Sequence, residues 1–237
     1  MNRITAVRHG QSTANAALAR AVRDGLAVRI PGRDADIELS PYGRAQAAAV
    51  GDWLAGDPDD RMPHAVWCSP YRRARETWSI AAERLRAAGI PAPTETVVDA
   101  RLRDRELGEL ELLTPAAVAA RFPADHARMD GPEAVSHRPR GGESFADMAG
   151  RVRAALDDMD RAAAGLSVLV VAHDAIVLLI RHLLDAGEPS DVGRVLGYGQ
   201  VGNGSVSRWH RRGTRLEQVA FNQTAHLPVE RPDPSPR

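Results

Sequence analysis

Lysine is missing altogether. All 31 basic residues of this 237-residue chain are Arg, and 31 Asp and Glu balance them to a formal net charge of zero. A chain without Lys cannot be a Walker-type nucleotide hydrolase, an ordinary protein kinase, or a Schiff-base or pyridoxal-phosphate enzyme, because each needs an amine at its centre. Without an excess of either charge, no global field points to nucleic acid or to an anionic membrane. Cysteine is nearly missing too. Cys68 stands alone, which excludes intrachain disulfides and thiolate zinc sites and fits a reducing compartment. Apolar runs such as Val168 to Ala172 are far too short to span a bilayer, and the polar start Met1-Asn2-Arg3 has no apolar signal core behind it. A cytoplasmic protein is therefore expected.

There is no internal repeat and no interior linker. Short β-branched runs alternate with longer helical stretches, which predicts an α/β protein: a three-layer α/β/α sandwich around a mostly parallel sheet of about six strands. The strands are expected at Ile4–Val7, Ala65–Cys68, Thr94–Val98, Val168–Ala172, Val206–His210 and Leu216–Phe221. Val168–Ala172 is apolar at every position, as a central strand covered on both faces should be. Ser40-Pro41 and Ser69-Pro70 each offer a capping hydroxyl followed by Pro at the first helical position. The helix expected from Pro70 carries Ala74, Trp78, Ala81, Leu85 and Ala88 at the spacing of one buried face. Ser144 with Asp147 predicts a further helix to about Ala164, and 114–142 an excursion from the sheet. Residues 1–227 are expected to form one domain. The Pro-rich tail, 228–237, should have no regular structure of its own.

Three stretches point to chemistry. Val7-Arg8-His9-Gly10 ends the first strand ahead of a helix, the place where open α/β sheets bind ligands and free helix N–H groups favour anions. Gly10 permits close backbone approach, and Arg8 supplies a fork suited to phosphate oxygens. Taken alone, the tripeptide also fits an ordinary surface turn. Next, Arg72, Arg73 and Arg75 crowd the first turn of a helix, where each exposed positive charge is unfavourable by roughly 0.3–1 kcal/mol. Either an anion held there reverses the sign, or carboxylates such as Glu76 and Asp104 neutralise the cluster. Finally, Ala172-His173 places a second His at a strand end. Paired His can bind a metal, but neither Cys nor a carboxylate at ligand spacing accompanies these two, and two Arg beside a divalent ion are electrostatically awkward.

These residues, in this order, resemble the histidine phosphatase superfamily, in its phosphoglycerate-mutase-like branch. The resemblance rests on Arg8-His9-Gly10 with Asn15 downstream, Ser69-x-x-x-Arg73-Ala74 with Thr77, and Ala172-His173. Leu39 with Gly43 and Gln46, Gly141-Gly-Glu-Ser144 and Asn203-Gly-Ser205 support it, and the set runs from about residue 3 to residue 220. The resemblance implies a nucleophilic role for His9, which would form a phosphohistidine that water hydrolyses. It implies that Arg8, Arg73 and His173 bind the phosphate oxygens, that Asn15 lines the pocket edge, and that neither metal nor cofactor is needed. The family's acid is commonly a Glu in Leu-x-Glu-x-x-x-Gly. Here Leu102-Arg-Asp-Arg-Glu-Leu-Gly108 puts Asp104 at that position, with Glu106 as the alternative two residues on. An Asp carboxyl sits about 1.5 Å further back on the same backbone.

The family's mutases follow the second His with Gly-Asn, whereas this chain has Asp174-Ala175. Hydrolysis of a phosphate monoester of a small metabolite is therefore expected over mutase-type transfer. A phosphohistidine or phosphotyrosine protein phosphatase and a non-catalytic phosphate-binding homologue stay open. Segments 16–36 and 112–142 are long enough to roof a small-molecule pocket. The expected partner is a small phosphorylated substrate, with no nucleic acid and no membrane, and a homodimer as the open assembly state.

Overall fold

The computed structural model of the protein describes residues 1–94, 96–131, 133–185 and 189–229. Six strands form one sheet: β1 (Arg3–Arg8), β2 (Ala65–Cys68), β3 (Thr96–Val98), β4 (Ser167–Ala172), β5 (Val206–Arg212) and β6 (Arg215–Gln223). Their order is β3-β2-β4-β1-β5-β6; the first four run parallel, and β5 and β6 are antiparallel. The helices are α1 (Thr13–Arg23), α2 (Pro41–Ala55), α3 (Pro58–Arg61), α4 (Arg72–Ala87), α5 (Pro115–Arg121), α6 (Pro123–Met129), α7 (Phe145–Ala162) and α8 (Asp174–Leu184). None of the described helices is long and apolar enough to cross a membrane.

The uninterrupted apolar run of β4 is explained by two cores. Successive strand side chains point to opposite faces. Val168, Val170 and Ala172 meet Met148, Val152 and Leu156 of α7 and Ile176, Leu179 and Ile180 of α8. Leu169 and Val171 meet Val50 and Leu54 of α2 and Trp78, Ala81 and Leu85 of α4. A fully buried Val, Leu or Ile side chain contributes about 1.5–3 kcal/mol, so the central strand is anchored from both sides. The chain's α/β sandwich follows from this alternation. A third, small core of Leu110, Leu113, Ala117 and Val118 belongs to the excursion that carries α5 and α6.

Strand register then sets the height of every strand end. Arg8 lies opposite Ala172, so His9 and His173 leave neighbouring strands at one level. Cys68 lies opposite Val171, and the Ser69 amide donates to the Val171 carbonyl at 3.0 Å. Val206 lies opposite Val7, which delivers Asn203–Ser205 to the same rim from the antiparallel side.

Several boundaries differ from expectation. Ser40 caps α2 through the Gly43 amide with Pro41 in the first turn, and Ser144 and Asp147 form a reciprocal capping box on α7, as their sequences predict. Ser69 does not cap α4. That helix begins at Arg72 without a side-chain cap, because the strand-end register sets the Ser69 hydroxyl 2.7 Å from His173 Nε2, where it also accepts from the Tyr71 amide. Ala88 is an exposed cap residue and not part of the buried face. β3 starts at Thr96; Thr94 lies in a bend and Glu95 outside the described residues. Of the tail, the Pro228 carbonyl accepts from the Tyr42 hydroxyl at 2.9 Å, and 230–237 lie outside the described residues.

Candidate active site

The turn after β1 is held from three sides. A Cβ on Gly10 would lie 2.3 Å from the Gly43 carbonyl oxygen, so only glycine lets β1 run this close to the start of α2. The Gly10 amide donates to Thr77 Oγ1, and the amide group of Asn203 donates to the His9 carbonyl at 3.1 Å. Gln46 ties the two sides together, accepting from the Gln11 amide and donating to the Asn203 carbonyl. The motif residues Thr77, Gln46 and Asn203 thus act on backbone, and through it on the His9 ring.

His9 is oriented for nucleophilic chemistry. Its Nδ1 lies 2.7 Å from the Gly10 carbonyl, which can only accept, so Nδ1 carries the proton and Nε2 keeps its lone pair. Nε2 faces the Nε–H of Arg73 at 3.1 Å. Burial first, then Arg73, His173 and Arg8, hold the His9 pKa well below its ordinary value. The ring is a neutral base at physiological pH.

Around it lie the other three expected residues. His173, fully buried at the start of α8, stands edge-on to His9 with ring centroids 5.1 Å apart. Its Nε2 meets the Ser69 hydroxyl, and its Nδ1 lies 3.2 Å from Asp104 Oδ2 without the alignment of a hydrogen bond. Arg8 is buried with one guanidinium N–H group on the Val201 carbonyl and its Nε unpartnered. The buried, unpartnered Nε of Arg8 is what an incoming anion requires. Arg73 reaches into the same space. Of the Arg cluster, Arg72 is neutralised by Glu38 and Glu76, and buried Arg73 by Asp34 and Asp104, so carboxylates balance both residues in the free protein.

Asp104 is the carboxylate brought to the centre. It accepts from Arg73 Nη2 at 2.9 Å and lies beside both imidazoles. Burial opposes its ionisation, but His173 and Arg73 outweigh burial and hold its pKa well below the usual carboxylate range. Glu106 points elsewhere, pairing with Arg103 at 3.0 Å. The backbone bearing Asp104 is clamped by a group the sequence does not announce. Arg151 on α7 donates to the Arg103 and Asp104 carbonyls, while its other face pairs with buried Glu143. Gly108, at φ +55°, closes that loop against the Arg140 carbonyl.

Asn15 is engaged in the turn that follows His9. Its Oδ1 accepts from the Ser12 amide and hydroxyl in the capping box of α1, and the Asn203 amide group lies 3.4 Å away. It shapes the turn that carries His9. Asp34, absent from the sequence reading, pairs with Arg73 through both carboxylate oxygens at 3.0 Å. No local pattern marks it, since a long connection brings it there.

His9, Asp104 and His173 offer three ligand atoms within 4.8 Å of one another, a grouping that spacing along the chain conceals. Arg73 already faces two of those atoms, on His9 and Asp104, and cannot lose its proton. The donor set suits an oxyanion better than a divalent cation.

The sequence profile of the histidine phosphatase superfamily (branch 1) matches residues 4–224. A metal-independent phosphoserine phosphatase of Arabidopsis thaliana is 28% identical over 94% of this chain and 82% of its own. A glucosyl-3-phosphoglycerate phosphatase of Mycobacterium tuberculosis is 34% identical over 64% of this chain, a match that spans 57% of that protein. Among solved structures, the mycobacterial glucosyl-3-phosphoglycerate phosphatase with VO3 superposes with a TM-score of 0.72 at 28% identity, covering 94% of this chain and all of its own. Bacillus stearothermophilus YhfR has the same fold, with a TM-score of 0.76 at 21% identity over 96% of this chain and 100% of its own.

Proposed function

From the premise that this chain belongs to the histidine phosphatase superfamily (branch 1), we propose that it hydrolyses a small-metabolite phosphate monoester through a phosphohistidine on His9. The observation that carries this reading is the Nε2 lone pair of His9, unprotonated and buried among Arg8, Arg73 and His173. Nε2 attacks phosphorus in line, and the P–O bond to the alcohol breaks. Arg8, Arg73 and the Nδ1–H of His173 take the three equatorial oxygens, on which transition-state charge spreads. When the phosphate dianion displaces Arg73 from it, Asp104 takes up a proton from solvent and gives it to the leaving oxygen. Asp104 then accepts a proton from the water that attacks phosphorus, releasing inorganic phosphate and free His9.

Two guanidiniums and an imidazole neutralise the phosphate, so the activity needs no metal or cofactor. The names of the relatives favour hydrolysis over mutase transfer. The lone, buried Cys68 suits a cytoplasmic location. The test is turnover of p-nitrophenyl phosphate with and without chelator and vanadate, followed by a rapid quench without acid after labelled substrate. Activity should survive chelator and be inhibited by vanadate, with label on His9. Activity abolished by chelator and restored by a divalent ion, or label on another residue, refutes the mechanism.

A further inference from the structure

The backbone that carries Asp104 has no regular structure of its own. Residues 104–107 lie in neither helix nor strand, so the carboxyl is placed by whatever grips this loop. One side chain grips most of it. Arg151, 10% exposed on α7, donates to the carbonyls of Arg101, Arg103 and Asp104, the last two at 3.0 and 3.1 Å. Glu143, 8% exposed, holds the other face of that guanidinium and accepts from the Glu106 amide at 3.1 Å. The Glu143 amide in turn donates to the Glu106 carbonyl at 2.8 Å. The loop is thus held on both sides of Asp104 by one buried ion pair.

Such a pair is weak evidence of stability by itself, because desolvation of the two charges offsets their attraction. A planar guanidinium is suited to spanning several carbonyls at once, which the single ammonium of a Lys is not. The use for that grip follows from the acid being Asp. One methylene fewer than Glu leaves the carboxyl about 1.5 Å further back on the same backbone, and a misplacement of about 1 Å can cost about 10²-fold in rate. The side chain has no slack to make up the difference. Asp104 Oδ1 accepts from the Arg105 amide at 2.9 Å, and Oδ2 accepts from Arg73 Nη2 at 2.9 Å.

We propose that Arg151, braced by Glu143, is a positioning residue for proton transfer: it sets the reach of the Asp104 carboxyl to the leaving oxygen. The inference rests on the phosphatase reading and adds the source of the acid's placement. Loosening the grip lets the loop recede from the ester, while the turn that carries His9 keeps its own supports in Thr77, Gln46 and Asn203. Attack on phosphorus survives, and protonation of the leaving oxygen suffers.

The test compares kcat/KM for propyl phosphate, whose leaving group needs the proton, with p-nitrophenyl phosphate, whose leaving group does not. Arg151→Lys keeps a cation beside Glu143 but cannot span the same carbonyls. It should lose about 10–100-fold on propyl phosphate and less than about threefold on p-nitrophenyl phosphate. Adding Asp104→Asn should cost no more on propyl phosphate than Asp104→Asn alone, because both changes remove one function. Asp104→Glu, which restores the methylene, should recover about tenfold in the Arg151→Lys background. Glu143→Gln loosens the brace while keeping Arg151, and should show the same split at smaller size even where Arg151→Lys fails to fold. Equal losses on the two esters, or losses that add to that of Asp104→Asn, reduce Arg151 to a structural role and overturn the proposal. Hydrogen exchange gives a readout without turnover. The Arg105 amide, bonded to Asp104 Oδ1, should exchange about tenfold faster in either variant, and an unchanged rate also overturns the proposal. Failure of the wild type to turn over p-nitrophenyl phosphate refutes the phosphatase reading instead, and the exchange rate still decides whether Arg151 places Asp104.

Discussion

At the N-terminal end of the parallel strands, Arg3, His64, His210 and Arg211 line a cavity of about 550 Å³; at the C-terminal end, Arg8, His9, Arg73 and His173 gather. Each end of the sheet thus holds two histidines and two arginines, and the difference lies in burial and in partners. At the first end, Arg3 donates to Asp60 and Ser167, and Arg211 to Asp160 and the Met1 carbonyl. His64 Nδ1 accepts from the Ser167 amide at 3.3 Å. The carboxylates there are open to water, Asp60 at 39% and Asp160 at 48% exposure. At the second end, none of the four side chains is more than 7% exposed, and donors on Arg8 and His173 lack aligned partners. A buried polar group left unsatisfied costs about 1–3 kcal/mol, so the unpartnered buried Nε of Arg8 is kept at the expense of stability. The same side chains make a solvated charge lattice or an anion seat according to what surrounds them.

The contrast is sharpest under mutation of one histidine at each end. His9→Ala should lower turnover of p-nitrophenyl phosphate by about four orders of magnitude or more while the protein stays folded. His210→Gln should leave turnover within about a factor of two, since surface polar changes seldom exceed ~0.5 kcal/mol. Comparable losses in the two variants, with both still folded by circular dichroism, would erase the distinction.

Next in size is the acid. Asp104→Asn should cost about two to four orders of magnitude on an alkyl phosphate, and much less on a nitrophenyl ester whose leaving group departs without a proton. Glu106→Gln should show no dependence on leaving group, because Glu106 faces Arg103 and not the pocket. The opposite pattern would move the acid to Glu106.

The pH profile reads burial directly. A depressed pKa means that His9 stays neutral as pH falls, so the acid limb of kcat/KM, corrected for titration of the substrate phosphate, should lie well below pH 6.5. Half of the activity lost at pH 6.5 or above would show His9 to be solvated like an ordinary histidine.

The smallest effect belongs to the solvated end. The hydrogen bond from Arg208 lowers the Asp60 pKa, so its ion pairs stabilise the fold above the ordinary carboxylate range and are lost as pH falls below about 4. Exposed pairs are worth about 0–1 kcal/mol each. Asp60→Asn should therefore cost no more than about 1 kcal/mol in urea unfolding at pH 7 and leave turnover unchanged. A larger loss, or one that persists below pH 3, would mean that this end is more than a solvated lattice.

Much of this was legible in the sequence because the signals were local. The unbroken apolar run Val168–Ala172 predicts a strand with cores on both faces, and Ser40-Pro41 predicts a helix start, since each depends on residues within a few positions. Ser69-Pro70 carries the same local signal and fails, because His173, 104 residues away, takes the hydroxyl. Asn15 sits at its motif position, yet three hydrogens already share its Oδ1, a fact that only the capping turn and Asn203 reveal.

By itself the sequence determined the sheet, Arg8 and the two histidines at its strand ends, Arg73 in the first turn of a helix, and the absence of Lys chemistry and of disulfides, because residue type and short-range spacing suffice for these. Only the tertiary structure decided which nitrogen of His9 is unprotonated and that Asp104, not Glu106, faces it. It also decided that Arg151 and Glu143 clamp the acid's backbone and that Asp34 sits on Arg73. Each of those depends on contacts between residues tens of positions apart, whose distances are set by strand register and helix packing, and by no pattern within the segments themselves.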